Sequence, residues 1–217
     1  MDVLVVHHHR LHAEILARRL KGEPGIRVTG IASTGATAKS AISVLDPRVT
    51  VLDMELADVS GFELAAQWSS RDPSISVAAI LGSDECSGVV RAIRAGASAV
   101  TTKDGPIADV VDAVTALASG SCWVPPRLLG GLVREMQRSL PPPNIYDEKL
   151  ATLTLREREI LQRMAAGRDR IGIARELGIS VNTVRTHAQN LLEKLGVHST
   201  LEAVCVANRS SNGRLPA

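Results

Sequence analysis

The chain has 217 residues, 45% of them hydrophobic, which excludes global disorder and leaves room for two domains. Aromatic residues make up 2% (Phe62, Trp68, Trp123 and Tyr146), which argues against a module that stacks bases on aromatic rings. The net charge of +2 is unevenly spread: residues 1–120 carry 11 Lys+Arg against 14 Asp+Glu, and residues 149–217 carry 11 against 6, so the second half is the one suited to a polyanion.

The first element is the apolar run Val3–Val6, which ends abruptly in His7, His8, His9 and Arg10 ("VLVVHHHR"). Further short β-branched runs follow at Ile26–Ile31, Val49–Leu52, Ile75–Leu81 and Ala97–Thr101. Helical segments fall between them, near Leu11–Leu20, Ala36–Leu45, Gly61–Ser69, Ser87–Ala95 and Ile107–Leu117. In the first helix Leu11, Ile15, Leu16 and Leu20 follow helical spacing. Strand–helix alternation repeated in this way predicts an α/β doubly wound parallel sheet over residues 1–120 with helices on both faces. Ligand sites in such sheets lie at the carboxyl ends of the strands, near the switch point.

Residues 121–149 read as a linker, with one short helix near Arg127–Ser139 started by Pro126 and an extended "PPP" spacer at 141–143. Residues 150–209 read as four helices. Thr154 and Glu157 have capping-box spacing at the start of the first, whose apolar stripe is Ile160, Leu161 and Met164 and whose end is Gly167. A short helix near Ile171–Leu177 stops at Gly178, and Ser180 can cap a third with the stripe Val184, Leu191 and Leu195, ended by Gly196. Ser199 can cap a fourth, with Leu201, Val204 and Cys205 on one face; residues 210–217 are a tail.

Cys86, Cys122 and Cys205 are odd in number and far apart, so neither a zinc knuckle nor a disulfide framework is supported. No apolar stretch reaches the roughly 18 residues of a membrane span, and "MDVLVV" lacks the features of a signal peptide. The expected setting is cytoplasmic, with reduced cysteines and no membrane.

Two helices joined by the tight turn "LGIS" have the layout of a helix-turn-helix. In the second, Asn182, Arg185, Thr186 and Gln189 fall on or near the face opposite the apolar stripe, where base edges are read; Thr183 and Lys194 are better placed for phosphates. Helical spacing alone leaves open a solvated face in a small bundle. The stretch "LTLREREILQRMAAG…IARELGISVNTVRTHAQNLLEKLGVHSTLEAV" resembles the LuxR/FixJ-type DNA-binding domain over about 55 residues. The resemblance implies that Val181–Leu195 enters the major groove of double-stranded DNA, on an inverted repeat. It also implies that Ser199–Asn208 helps form a homodimer, through Leu201, Val204 and Cys205. Gly172 departs from the usual polar residues and should weaken its helix by about 1 kcal/mol against alanine.

Residues 1–120 resemble the receiver of two-component response regulators, through "VLDMELADVSGFEL" at the third strand and "TTKDG" after the fifth. That resemblance implies strand order 2-1-3-4-5, with Asp53 at the phospho-acceptor position and Lys103 at that of the phosphoryl-pairing lysine. The receiver pocket would comprise His7, His8, Asp53, Gly82, Ser83 and Lys103. Several family features are replaced. His7 and His8 stand where an acidic pair would hold Mg²⁺, Gly82 where a hydroxyl would bond the phosphoryl group (Ser83 is adjacent), and Val100 where an aromatic switch residue is usual.

Mg²⁺ wants oxygen ligands, whereas imidazoles suit Zn²⁺, Cu²⁺ or Ni²⁺. Asp53 can instead pair with Lys103 or a protonated histidine. No metal and no cofactor are expected, because neighbouring strand residues point to opposite faces and His7 and His8 converge only if the strand has ended. The combined expectation is a transcription regulator, not an enzyme. Its receiver would be controlled without phosphorylation, by dimerisation, a small ligand or a protein partner. The alternatives are an ordinary response regulator phosphorylated on Asp53, or a metal sensor built on His7 and His8.

Overall fold

Side-chain alternation along each strand feeds two cores. In β1 (Asp2–Val6), Val3 and Val5 join one apolar cluster while Leu4 and Val6 join the other. β3 (Val49–Asp53) and β4 (Ser76–Leu81) repeat the pattern, with Val49, Val51, Ala78 and Ile80 on the first side and Leu52, Val77, Ala79 and Leu81 on the second. With β2 (Arg27–Ala32) and β5 (Ala97–Thr102) they form a parallel sheet in the order β2-β1-β3-β4-β5, as the receiver resemblance implies. The computed structural model describes residues 1–71, 75–139 and 143–209.

Helices α1 (Arg10–Lys21) and α5 (Ile107–Ser119) cover the first side; α2 (Gly35–Leu45), α3 (Gly61–Arg71) and α4 (Cys86–Arg94) cover the second. The predicted stripe of α1 needs correction. Leu20 is buried and Leu16 packs on the core, but the remaining contacts are Ala13 and Ala17, and Leu11 and Ile15 are 68% and 47% exposed. Alanines let the helix lie close to the sheet, so counting only large side chains shifted the expected face away from Ala13 and Ala17.

The segment after α5 joins the receiver more closely than a linker reading implies. Trp123 pairs with Ala99 at the sheet edge. Helix α6 (Pro126–Ser139) then buries Leu128, Leu132 and Met136 in the cluster that contains α4. Of the "PPP" spacer, residues 141 and 142 lie outside the described residues, as does the 210–217 tail, and Pro143 opens α7 (Pro143–Ala151).

The C-terminal core gathers α7, α8 (Leu155–Ala165), α9 (Arg170–Leu177), α10 (Val181–Leu195) and α11 (Thr200–Arg209) around Leu150, Ile160, Leu161, Ile173, Val184, Leu191 and Leu195. Burial of each such side chain contributes about 1.5–3 kcal/mol against exposure. The predicted caps form: Thr154 and Glu157 make a reciprocal capping box, and the Ser180 hydroxyl accepts the Thr183 N–H. Gly178 (φ 63°) and Gly196 (φ 68°) end α9 and α10 in the left-handed conformation that favours glycine. Asp169 caps α9 through the Gly172 N–H at 2.7 Å, and a Cβ on Gly172 would press on that carboxylate oxygen at 2.9 Å. The glycine weakens the helix by propensity but leaves room for its cap. Among the described residues, no helix is long and apolar enough to cross a membrane.

Candidate functional site

The first site lies where β1, β3 and β5 end. Val6 is in register with Leu52, so the next residues, His7 and Asp53, face each other at the switch point between β1 and β3. The strand stops at Val6, and the chain turns so that both His7 and His8 point at Asp53. Asp53 is fully buried and His7 nearly so, whereas His8 keeps 24% exposure.

Every oxygen of Asp53 is engaged. Oδ1 accepts the Glu55 N–H at 3.0 Å and lies 3.0 Å from the Lys103 ammonium. Oδ2 accepts a hydrogen bond from His8 Nδ1 and lies 3.5 Å from His7 Nδ1. Burial alone would raise the Asp53 pKa, but the Glu55 N–H, His8 and Lys103 hold it below the usual carboxylate value. Burial likewise works against the Lys103 charge, but Glu55 and Asp53 overcome it and raise the ammonium's pKa. His7 goes the other way: burial pushes its imidazole down to about 4, so at neutral pH it is uncharged, and its Nδ1 accepts the His9 N–H at 3.0 Å.

Glu55 is a residue that sequence reasoning missed, although it stands two places after Asp53. Its carboxylate takes the Lys103 ammonium at 2.8 Å and lies directly over Gly82, where a Cβ would meet Oε1 at 2.3 Å. Gly82 thus supplies space for Glu55 and no hydroxyl. Ser83 is exposed at the start of the loop to α4, and Val100 is buried in β5.

The donor set does not fit Mg²⁺. Two of the positions around Asp53 carry imidazole nitrogen, and the nearby carboxylate of Glu55 is taken by Lys103.

The second site is α10. Val184, Ala188, Leu191 and Leu195 seat it on the core, while Asn182, Thr186, Arg185 and Gln189 lie outside that buried face. Thr183 is turned to the Ser180 cap, Thr186 donates to the Asn182 carbonyl, and Gln189 bonds Glu193 at 2.9 Å. Lys194, expected at a phosphate, is ion-paired in the structure. Its ammonium lies 2.7 Å from the buried carboxylate of Glu157, inside its own domain.

The outer face of α10 is turned toward the receiver. Val181, Asn182 and Arg185 line a cavity of about 470 Å³ together with Met1, Arg48 and Ser76. Gln189 and Arg185 line a second, smaller gap against Ser69, Ser98 and Gly96. These receiver residues mark the amino ends of the strands, the end of the sheet opposite Asp53. Arg170, at the start of α9, packs its side chain over Gly120 at the end of α5; its Nε is buried without a hydrogen-bond partner, and burial lowers its pKa.

The α11 face expected to pair with a second copy is also engaged within the chain. Leu201 and Cys205 pack on the receiver cluster, and Cys205 Sγ lies 3.5 Å from Met136 Sδ of α6. Val204 packs on the C-terminal core.

Comparison with known proteins agrees with both halves. Residues 3–115 match the response regulator receiver domain family, and residues 151–207 match the family of bacterial regulatory proteins, luxR family. The probable transcriptional regulatory protein NarL of Mycobacterium tuberculosis (strain ATCC 25618 / H37Rv) is 36% identical over 208 residues, covering 95% of this chain and 93% of that protein. The transcriptional regulatory protein LiaR of Bacillus subtilis (strain 168) is 30% identical over 210 residues, covering 96% and 97%. The RcsB response regulator of Salmonella typhimurium has the same fold, with a TM-score of 0.57 at 20% identity over 91% of this chain and 92% of that one. RcsB bound to DNA aligns with a TM-score of 0.59 at 19% identity, over 97% and 99%. The chain belongs to the LuxR-type response regulators, DNA-binding transcriptional regulators in which a receiver domain precedes a luxR-family helix-turn-helix domain.

Proposed function

We propose that this regulator binds its operator as a dimer, on an inverted repeat, and that its receiver does not use Mg²⁺-dependent phosphorylation as the switch. The observation that carries the reading is the occupancy of Asp53. Its carboxylate already holds Lys103, His8 and the Glu55 N–H, and Glu55 lies over Gly82 where a phosphoryl group would need room and a hydroxyl. Phosphoryl transfer depends on a metal neutralising developing charge, and the histidines offer the wrong donors for Mg²⁺.

DNA binding on this reading requires the two domains to part. Arg185 and Gln189 face the receiver, and Leu201 and Cys205 are covered by it and by α6, so base reading and pairing of α11 become available together. Any ligand or protein partner that binds the parted form better shifts the population toward it. The test is intact mass after incubation with acetyl phosphate and Mg²⁺. An unchanged mass supports the reading; an added phosphoryl group, absent in Asp53→Asn, overturns it in favour of ordinary phosphorylation.

A further inference from the structure

We propose that His7, His8 and Asp53 form a three-ligand site for a borderline transition cation of the Zn²⁺ class. This deepens the reading that the receiver has left magnesium, and rests on it for the position of the site but not for its chemistry. The sequence argued against a metal because neighbours on a strand diverge. β1 ends at Val6, so the argument lapses, and one nitrogen from each histidine and one carboxylate oxygen lie within 4.8 Å of one another.

The His7–Asp53 edge has the spacing of a tetrahedral site. Zn²⁺ ligands at about 2.0–2.1 Å imply ligand–ligand edges of about 3.3 Å. His7 Nδ1 and Asp53 Oδ2 are 3.5 Å apart, which places two electron-pair donors face to face with a cation's width between them. His8 Nδ1, now hydrogen-bonded to Asp53 Oδ2, draws back from it to become the third corner, and its partly exposed side leaves the fourth open to water. Three protein ligands with an open position are the donor arrangement Zn²⁺ takes outside purely structural sites.

Outer groups already aim the ligands. The Glu55 N–H and Lys103 fix Asp53 Oδ1, which turns Oδ2 to the histidines. The His7 and His8 rings stack at 5.2 Å with 17° between their planes. Charge favours a dication: Asp53 and Glu55 against Lys103 leave the pocket one negative charge. Binding gives up the His8–Asp53 and His9–His7 hydrogen bonds, and the proton on His8 Nδ1 passes to Nε2 so that Nδ1 presents its lone pair to the cation.

The experiment uses the full chain, freed of metal with a chelator, titrated separately with Zn²⁺, Co²⁺ and Mg²⁺. Expected are one equivalent of Zn²⁺ bound at micromolar or tighter affinity, and a Co²⁺ absorption spectrum of four-coordinate intensity. Mg²⁺ should not compete at millimolar concentration. His8→Gln, at a partly exposed position, should keep its thermal midpoint in chelator and lose at least about 100-fold in Zn²⁺ affinity. The double variant His9→Gln, His12→Gln should retain binding, which separates this site from its histidine neighbours. Undiminished Zn²⁺ binding in His8→Gln, or no Zn²⁺ binding at all, overturns the proposal while leaving the phosphorylation-independent reading intact. Mg²⁺ binding that displaces Zn²⁺ overturns both.

Discussion

Arg170 of the helix-turn-helix domain lies across Gly120 of the receiver, so closely that a Cβ on the glycine would stand 2.5 Å from its Cδ. This contact closes one end of a cavity in which Arg48, Arg170 and Arg185 come together from both domains. Arg48 and Arg185 both act to lower the Arg170 pKa, after burial itself. The docked arrangement therefore works against a repulsion between like charges. Arg48→Glu replaces repulsion by attraction without touching the DNA-reading helix. It should favour the docked form by about 1 kcal/mol and weaken operator binding several-fold. Electrophoretic mobility shift with the full chain measures this, and an unaltered affinity would show that docking does not limit DNA binding.

Arg185 is the side chain of α10 best suited to a bidentate contact with guanine. Arg185→Ala should cost about 1–3 kcal/mol of operator affinity and relax preference at one base position. The same variant removes a cation from the interdomain cavity, which works in the same direction by easing docking. Measuring the preference across a set of single-base operator variants separates the two effects, since docking shifts all operators equally.

Lys194 has an ion-pair partner in its own domain. Burial alone would raise the Glu157 pKa, but Lys194 and Thr154 hold it below its ordinary 4.5. A carboxylate lowered in the folded state gives stability that is present above about pH 4.5 and is lost as pH falls through the lower, folded value. Lys194→Ala should destabilise the helix-turn-helix domain by about 1–2 kcal/mol at neutral pH, because solvent screens the partly exposed lysine. It should also move acid unfolding to higher pH. Thermal melts between pH 3 and 7 test both. If stability holds and affinity falls equally for all DNA sequences, the phosphate role stands instead.

The topology and the helix caps were legible because local chemistry dictates them. Thr154 with Glu157, Ser180, Gly178 and Gly196 each satisfy orphaned backbone groups within a few residues, and the strands announce themselves by β-branched runs. What escaped the sequence depends on distance in space. Glu55 over Gly82, Lys194 on Glu157 and Arg170 on Gly120 join residues from different elements, and no spacing rule encodes them. The convergence of His7 and His8 turned on whether β1 ends at Val6 or one residue later, the kind of boundary that pattern reading leaves loose. The alanine part of the α1 face escaped for a different reason: alanine contacts carry little hydrophobic signal.

Asp53 is the residue on which the two regulatory readings part. Under ordinary phosphorylation, Asp53→Asn abolishes the switch. Under the reading supported by the pocket, it removes a buried ion-pair partner and leaves regulation in place. Asparagine can keep one carbonyl for the Glu55 N–H, and Lys103 still has Glu55 at 2.8 Å, so the ammonium is not stranded. The cost is a charge-assisted hydrogen bond inside the protein, about 1.5–3 kcal/mol of stability. The effect on operator affinity should be small, because the pocket lies at the carboxyl ends of the strands while α10 rests near their amino ends. Beryllofluoride with Mg²⁺ should leave both the sedimentation coefficient and the DNA affinity of the wild type unchanged, since the analogue needs the metal and the room that His7, His8 and Glu55 deny it. Replacing His7→Asp and His8→Asp together restores oxygen donors and should recover Mg²⁺ binding, but Gly82 still supplies no hydroxyl, so the response to beryllofluoride stays blunted. A wild-type chain that dimerises and tightens on DNA with beryllofluoride, where Asp53→Asn does neither, would return this receiver to the phosphorylated class.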